Sequence, residues 1–296
     1  MDWDKLRIFH AVAEAGSFTH AGETLKLHQS AISRHISGLE ESLKVSLFHR
    51  HPRGLRLTEQ GELLYRTAHE LFTKLALTEQ LLRDQREKPS GELRITTTVA
   101  FGSTWLTPRM AEFLTLYPDI SVDLILEDRE LDLGMGQADV AIRMRAPIQS
   151  DLIQRRLFTV HYRLYASPSY IAQRGVPRTV EDLDNHAILI YGEGAPAPLS
   201  NLNWLASIGR PNGTPREPIL RVNNVYGVVL ACEAGVGLAA LPDYLARGNP
   251  KLTQVMPDLD GPTFDTYFVF PVELKESKRV AVFRDFILRQ ARDWTF

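Results

Sequence analysis

Residues 17–43 read SFTHAGETLKLHQSAISRHISGLEESL, and this stretch decides the fold of the N-terminal region. Ser17 is a good N-cap for a helix over residues 18–25, and a three-residue turn leads into another helix over residues 29–43. Apolar residues in this later helix recur at steps of four, three and four, which makes a narrow packing stripe; they are Ile32, Ile36, Leu39 and Leu43. A preceding amphipathic helix ends at Gly16. The spacing therefore predicts three short helices with a tight turn before the third.

The face of the third helix opposite its apolar stripe is polar, small and almost free of acidic residues. Short side chains permit close approach to the DNA major groove, while glutamine and arginine reach base edges or phosphates. An ordinary solvated helix face is the alternative, but the tight helix-turn-helix spacing disfavours it. We therefore predict DNA contacts on the second and third helices at Thr19, Gln29, Ser30, Ser33, Arg34 and Ser37.

A basic hairpin is predicted directly after these helices, over residues 47–57. Apolar pairs at either end can anchor two short strands around a turn at residues 52–54. Such a wing would lie on the phosphate backbone, and we expect Arg50 and Arg53 to contact DNA there. The neighbouring histidines lack nearby carboxylates and cysteines, so no metal site is predicted.

The charge of the chain is locally basic although its net charge is −2. Residues 26–56 carry six lysines and arginines against two glutamates, which leaves a charge of +4. A short positive segment of this kind suits a DNA-contacting surface.

The composition is that of an ordinary globular protein, with 44% hydrophobic and 24% charged residues. We see no apolar run of the roughly 20 residues that a membrane span needs, so no membrane partner is expected. The N-terminal residues do not resemble a signal peptide, and Cys232 is the only cysteine. These features lead us to expect a cytoplasmic protein.

Four stretches of sequence closely resemble the LysR-type transcriptional regulators: residues 9–19, 29–36, 47–50 and 57–61. The resemblance implies a winged helix-turn-helix, a dimerising linker helix and an effector domain like the periplasmic binding proteins. It also implies a double-stranded DNA operator, a small-molecule effector and self-association as partners, with a homotetramer favoured over a homodimer and RNA polymerase as a further candidate. No cofactor is implied. His28 and His35 stand where the family often has other polar residues, which leaves the base preference open.

The predicted fold is α/β with an N-terminal all-α winged helix-turn-helix and a two-lobed effector part. Residues 1–57 form the predicted DNA-binding domain, 58–87 the linker helix, 88–91 a hinge loop with Pro and Gly, and 92–296 the effector-binding domain. Within the last, lobe I is expected to comprise residues 92–162 and 268–296, and lobe II residues 163–267.

The linker helix carries an apolar seam of the coiled-coil type. Thr58 is placed to cap the helix. Leu64, Ala68, Leu71, Leu75, Thr78 and Leu82 follow at alternating four- and three-residue steps, and the five apolar residues among them form the predicted dimer seam. Packing against the chain's own effector domain is the alternative, but the Pro89–Gly91 linker favours a partner chain.

Ligands of two-lobed α/β folds bind between the lobes, at carboxyl ends of strands and amino ends of helices. Three segments are expected to converge there: residues 98–104, residues 223–226, and Arg143 with Arg145. Helix N-termini together with arginine favour an anion such as a carboxylate, although ordinary capping and surface charge are the alternative. The predicted effector-binding residues are Thr98, Ala100, Phe101, Gly102, Ser103, Thr104, Arg143, Asn224 and Tyr226.

Two other functional classes are the alternatives. An enzyme is not expected, because Cys232 lies in an apolar helical context and no nucleophile elbow, zinc-protease or phosphate-loop motif occurs; no catalytic residue is predicted. A small-molecule-binding protein of the transport type, without regulatory DNA binding, is the second alternative. The attached helix-turn-helix and the missing signal peptide disfavour it.

Overall fold

The structure, a computed structural model, describes residues 2–51, 54–83, 88–147, 149, 151–192, 201–210, 213–292 and 294. The chain divides into two compact units. The first comprises Met1–Arg83 with the short segment Gly134–Gly136, and the second comprises the rest. None of the described helices is both long and apolar enough to cross a bilayer.

The first unit confirms the three predicted helices and the hairpin. Its elements are α1 (Trp3–Ala15), α2 (Phe18–Leu25), α3 (Gln29–Leu43), β1 (Phe48–His51), β2 (Gly54–Leu57) and α4 (Glu59–Arg83). The strands β1 and β2 pair antiparallel, with Phe48 opposite Leu57. The Ser17 hydroxyl accepts hydrogen bonds from the N–H groups of Thr19 and His20, so it caps α2 as predicted.

A continuous apolar core holds the three helices, the hairpin and the start of α4 together. Its buried side chains include Phe9, Val12, Ile32, Ile36, Leu39, Leu47 and Ala68. Thr58 fixes the start of α4, since its hydroxyl donates to Ser46 O at 2.7 Å and accepts from Gly61 N at 3.0 Å. Gly61 must be small, because a Cβ there would lie 2.1 Å from Leu47 O.

The second unit is built on one mixed sheet flanked by helices. The strands are β3 (Gly91–Thr97), β4 (Ile120–Leu126), β5 (Val140–Arg143), β6 (Leu152–Ala166), β7 (Ile188–Tyr191), β8 (Leu220–Val222), β9 (Leu238–Pro242), β10 (Thr253–Gln254) and β11 (Thr263–Pro271). They lie in the order β4-β3-β5-β11-β6-β9-β7-β8, and β10 pairs with β6. The helices are α5 (Val99–Phe101), α6 (Thr107–Leu116), α7 (Pro168–Arg174), α8 (Trp204–Ser207), α9 (Val225–Glu233), α10 (Asp243–Ala246) and α11 (Lys278–Arg292).

The two lobes of this unit share the strands β6 and β11. The first part of β6 pairs with β11 from Leu152 to His161, and its last part pairs with β9 from Tyr162 to Tyr165. The sequence predicted crossings at residues 162–166 and 265–269, and both lie within these longer strands. Because β11 also pairs with β5 at residues 267–269, only residues 263–266 of β11 and 158–161 of β6 form a two-stranded ribbon, and the register is irregular between Thr266 and Tyr267.

The segment after β3 differs from the sequence expectation. Residues 98–104 were predicted to present backbone N–H groups to a ligand. Instead α5 leads directly into a π-helical turn, Gly102–Leu106, so that Gly102 N donates to Thr98 O at 2.8 Å. A Cβ on Gly102 would lie 2.1 Å from Leu126 Cδ2. This glycine therefore serves close packing against β4 rather than the approach of a ligand.

Candidate functional sites

The predicted DNA-contacting residues of α3 share one side of that helix, and Thr19 is exposed on the neighbouring α2. Ile32, Ile36 and Leu39 are buried on the opposite side of α3. Five of the six predicted side chains on these helices are exposed and Ser33 is half-buried; the exposed ones are Thr19, Gln29, Ser30, Arg34 and Ser37. The apolar stripe thus faces the core and leaves this polar face free for another molecule.

The arginine on this face is free to leave its present position. Arg34 Nε donates only to the backbone carbonyl of Ser30, at 3.4 Å, among the contacts that the structure gives this side chain. The turn before α3 is compact, since a Cβ on Gly22 would lie 2.7 Å from Leu27 O. Short side chains and a movable arginine on an exposed helix suit insertion into the major groove.

The hairpin is attached to α3 by an acidic side chain. Glu40 Oε1 accepts hydrogen bonds from the N–H groups of Leu47, at 2.7 Å, and Phe48. Glu40, one of the two acidic residues in the basic segment, therefore holds the wing in place and is not there to repel DNA. Arg56 on β2 is exposed. Arg53 lies outside the described residues, as does the side chain of Arg50.

The predicted seam of α4 has a part buried within its own unit and an exposed part. Ala68 is buried in the core of its own unit and Leu64 packs against that core, so Ala68 is not available to a partner chain. Leu71 and Leu75 are 38% and 43% exposed. The side chain of Leu82 lies outside the described residues.

A cavity of about 420 Å³ lies between the lobes of the second unit. Its walls combine the start of α5 with residues of both crossing strands and of lobe II: Thr98, Ala100, Asp128, Met144, Val160, Tyr162, Tyr191, Val225, Tyr244 and Phe264. Thr98 and Ala100 were predicted. Phe101 and Gly102 are buried behind this wall, and Ser103, Thr104 and Tyr226 are not among its residues.

Asp128 is the residue that joins the two sides of this cavity. Its Oδ1 accepts from Val99 N at 3.1 Å, at the amino end of α5 in lobe I. Its Oδ2 accepts from Asn224 Nδ2 at 2.7 Å, and Asn224 itself caps α9 in lobe II through Gly227 N. The chain's own carboxylate therefore takes the position beside two helix N-termini where an anionic ligand was expected.

The two predicted arginines are already paired. Arg145 makes two 2.7 Å hydrogen bonds to Glu130, and Arg143 donates to Leu131 O and lies 3.8 Å from Glu130. Burial raises the pKa of Glu130, but the Arg145 hydrogen bond and both positive charges outweigh it and leave the pKa below its ordinary value. Arg143 and Arg145 line an adjoining cavity of about 450 Å³, which shares Thr98, Asp128 and Met144 with the first.

The tyrosines of the interlobe cavity are neutral hydrogen-bonding groups. Burial, aided by the nearby Asp128 charge, raises the pKa of Tyr191 to about 12. Burial also raises the pKa of Tyr162 and of Tyr244, and Asp128 and Asp243 add to the effect. The cavity thus presents aromatic surface, hydroxyl groups and one carboxylate.

Sequence reasoning missed most of this wall. Asp128 carried a usable signal, because it lies two residues after the end of the strand β4 and strand carboxyl ends face the cleft. Tyr191 has a similar position at the end of β7. Tyr244 and Phe264 carried no signal, since only the antiparallel pairing of β6 with β9 and β11 brings them to the same cavity.

A second cluster of polar side chains lies in the first unit. His10 and Glu14 on α1 meet His69 on α4, and their potential metal-ligand atoms lie within 4.8 Å of one another. Sequence reasoning missed this cluster because His10 and His69 are 59 residues apart along the chain.

Family profiles match both parts of the chain. The profile described as "LysR substrate binding domain" matches residues 86–292, and that described as "Bacterial regulatory helix-turn-helix protein, lysR family" matches residues 3–62. Together they span nearly the whole chain.

Similar proteins extend over the same length. An HTH-type transcriptional regulator of Xanthomonas campestris pv. campestris (strain 8004) is 31% identical over 97% of this chain and 85% of its own. The regulator CrgA of Neisseria meningitidis serogroup C (strain 8013) is 30% identical over 97% and 96%. Among solved structures, the full-length virulence activator AphB of Vibrio cholerae is 28% identical with a TM-score of 0.62, covering 98% of this chain and 99% of that one.

Proposed function

The chain belongs to the LysR family of DNA-binding transcriptional regulators with an effector-binding domain, and from that premise we propose that it reads its operator through α3 and senses a small molecule between its lobes. The observation that carries the DNA-binding surface is the exposed face of α3, which presents Gln29, Ser30, Arg34 and Ser37 opposite a buried apolar stripe. Arg34 contacts a base edge or its flanking phosphate, while Arg53 in the wing contacts phosphate alone.

Binding of the full-length chain to DNA from upstream of its own gene tests this surface. Arg34→Ala should cost about 1–3 kcal/mol and reduce discrimination against unrelated DNA. Arg53→Ala should weaken binding to all sequences about equally and lower the salt slope by about one. Arg174→Ala, an exposed arginine of lobe II, is the matched control and should bind as the wild type does. Wild-type affinity for both the Arg34 and Arg53 variants would place the DNA surface elsewhere.

The effector site proposed here is the 420 Å³ interlobe cavity. A ligand that touches both lobes binds one of their relative orientations better, and only such a difference in affinity can shift the population. The expectation of an anionic effector rested on helix N-termini together with Arg143 and Arg145. Both arginines are paired with Glu130 and line the adjoining cavity instead of this one. Asp128 and the neutral tyrosines favour instead a ligand with an aromatic or apolar body and a hydrogen-bond donor or a positive charge.

A matched set of small aromatic molecules that carry an amine, a hydroxyl or a carboxylate on the same skeleton tests the ligand class. The amine should raise the melting temperature of the full-length chain most and the carboxylate least. Asp128→Asn should abolish the preference for the amine, whereas Glu127→Gln, at the exposed neighbouring position, should preserve it. Stabilisation by the carboxylate alone would return the proposal to an anionic effector.

The exposed Leu71 and Leu75 support a dimer in which α4 packs against a second copy of itself. The two leucines lie one helical turn apart on the same side of the helix, as a coiled-coil seam requires. Two DNA-binding heads held in this way would suit an operator with two half-sites.

A further inference from the structure

Three potential metal ligands converge between α1 and α4, within the first unit of the chain. His10 Nε2 lies 2.9 Å from His69 Nδ1. Glu14 Oε1 lies 3.7 Å from His69 Nδ1, and Glu14 Oε2 lies 3.7 Å from His10 Nδ1. Each oxygen of the carboxylate therefore faces a different imidazole.

These separations match what a small metal ion needs. Ligand atoms at about 2.05 Å from a tetrahedral Zn²⁺ lie roughly 3.3 Å from one another. The observed 2.9 Å and 3.7 Å bracket that spacing, and one ligand atom from each of the three residues lies within 4.8 Å of the other two. Magnesium and calcium prefer all-oxygen sites, whereas two imidazoles with one carboxylate suit a divalent transition ion.

The outer contact of His69 orients its ring for this role. His69 Nε2 lies 3.0 Å from the backbone carbonyl of Met135, which belongs to the same unit, so Nε2 carries the proton and donates it there. That leaves the lone pair of Nδ1 directed at His10 and Glu14. A ligating histidine that donates its other ring N–H to a carbonyl is the usual arrangement around bound metals.

The rings of both histidines are held by packing, while one side of the cluster stays open. His10 stacks on Tyr65 with the ring planes 17° apart and lies against Phe72. The side chains of His10 and His69 are 14% and 19% exposed, whereas Glu14 is 51% exposed.

We propose that His10, Glu14 and His69 bind one divalent transition-metal ion, with Zn²⁺ as the ion to test first. The ion takes the place of the proton between the two rings, so that His10 Nε2, His69 Nδ1 and Glu14 Oε1 become its ligands. The proton of neutral His10 moves to Nδ1, where it faces Glu14 Oε2. Water completes the coordination on the solvent side, as in zinc sites with three protein ligands.

The site would couple metal occupancy to the DNA-binding head. α1 packs on α3, whose outer face carries the predicted DNA contacts, and α4 carries the exposed leucines of the proposed dimer. An ion held by both α1 and α4 fixes the head relative to the linker helix.

The proposal is tested by zinc titration of the untagged full-length chain in competition with a chromophoric chelator at pH 7.5. The wild type should bind one high-affinity Zn²⁺ per chain. His69→Asn and Glu14→Gln should each lower that affinity at least tenfold, with circular dichroism of the metal-free proteins unchanged. His28→Asn removes an exposed histidine from the turn before α3 and should leave the affinity unchanged.

Two results would overturn the site. One is the absence of a high-affinity zinc equivalent in the wild type. The other is an equivalent that persists in Glu14→Gln; this variant changes a half-exposed surface carboxylate and so decides the matter even if His69→Asn perturbs folding. Cobalt(II) added in place of zinc provides an independent readout, since the visible absorption of a bound tetrahedral ion should be lost in both variants and kept in His28→Asn.

Discussion

The hydrogen bond between Asp128 and Asn224 links the two lobes of the effector domain, and we call it the interlobe latch. We expect its contribution to the free energy of unfolding to be measurable. Asp128 accepts at 2.7 Å from Asn224 Nδ2 and at 3.1 Å from Val99 N. Asn224 also accepts at 3.2 Å from Gly227 N at the start of α9. Each side chain therefore supplies one helix cap as well as its half of the latch.

The expected loss of stability in each variant follows from these contacts. A helix cap contributes about 1 kcal/mol, and a half-exposed hydrogen bond to a carboxylate about the same. Asp128→Ala and Asn224→Ala should each destabilise the domain by about 2 kcal/mol. The double variant should lose about 3 rather than 4 kcal/mol, because the latch is counted once, and the coupling energy is then about 1 kcal/mol.

Urea unfolding of the full-length chain, followed by tryptophan fluorescence, measures the cycle. Three of the four tryptophans, Trp105, Trp204 and Trp294, lie in the effector domain and report on its transition. Glu127→Ala, the exposed neighbour, should change stability by less than about 0.5 kcal/mol. A coupling energy below about 0.3 kcal/mol, within the additivity of independent sites, would refute the latch.

Three further outcomes are expected. Lysine at both Leu71 and Leu75 should yield monomers that bind DNA poorly, and an unchanged mass by light scattering would contradict the seam. Gly102→Ala should lower the melting temperature, since its Cβ would overlap a leucine side chain and overpacking costs about 1–3 kcal/mol, whereas Gly213→Ala, with 3.5 Å of room, should not. Glu130 has a lowered folded pKa, so its stabilising contribution is complete above its ordinary pKa of 4.5 and is lost as the pH falls below it; acid unfolding of Glu130→Gln should show a shallower pH dependence there.

The N-terminal region could be predicted from sequence almost to the residue. Ser17 and Thr58 are local capping signals, and the spacing of Ile32, Ile36 and Leu39 is a local packing signal. Each acts within a few residues of the element that it specifies, so the sequence alone contains the information. The buried position of Ala68 was less accessible, because it depends on how α4 turns against the core of the helical head.

Sequence reasoning placed some residues of the interlobe cavity but not the chemistry of its wall. Asn224 was correctly placed at the start of a helix, and Thr98 on the cavity wall. Whether Arg143 faces a ligand or a carboxylate of the chain depends on Glu130, which a loop brings to it. Long-range pairing of charges is set by the tertiary fold, and no local pattern in the sequence predicts it.

The ribbon of β6 and β11 determines which motion the effector lobes can make at low cost. Bending two paired strands within the plane of their hydrogen bonds stretches the ladder, whereas twisting them about their common axis leaves each bond close to its length. The irregular register between Thr266 and Tyr267 loosens the ladder part of the way along. We therefore expect a ligand to change the twist angle between the lobes, and not to close them by a hinge motion.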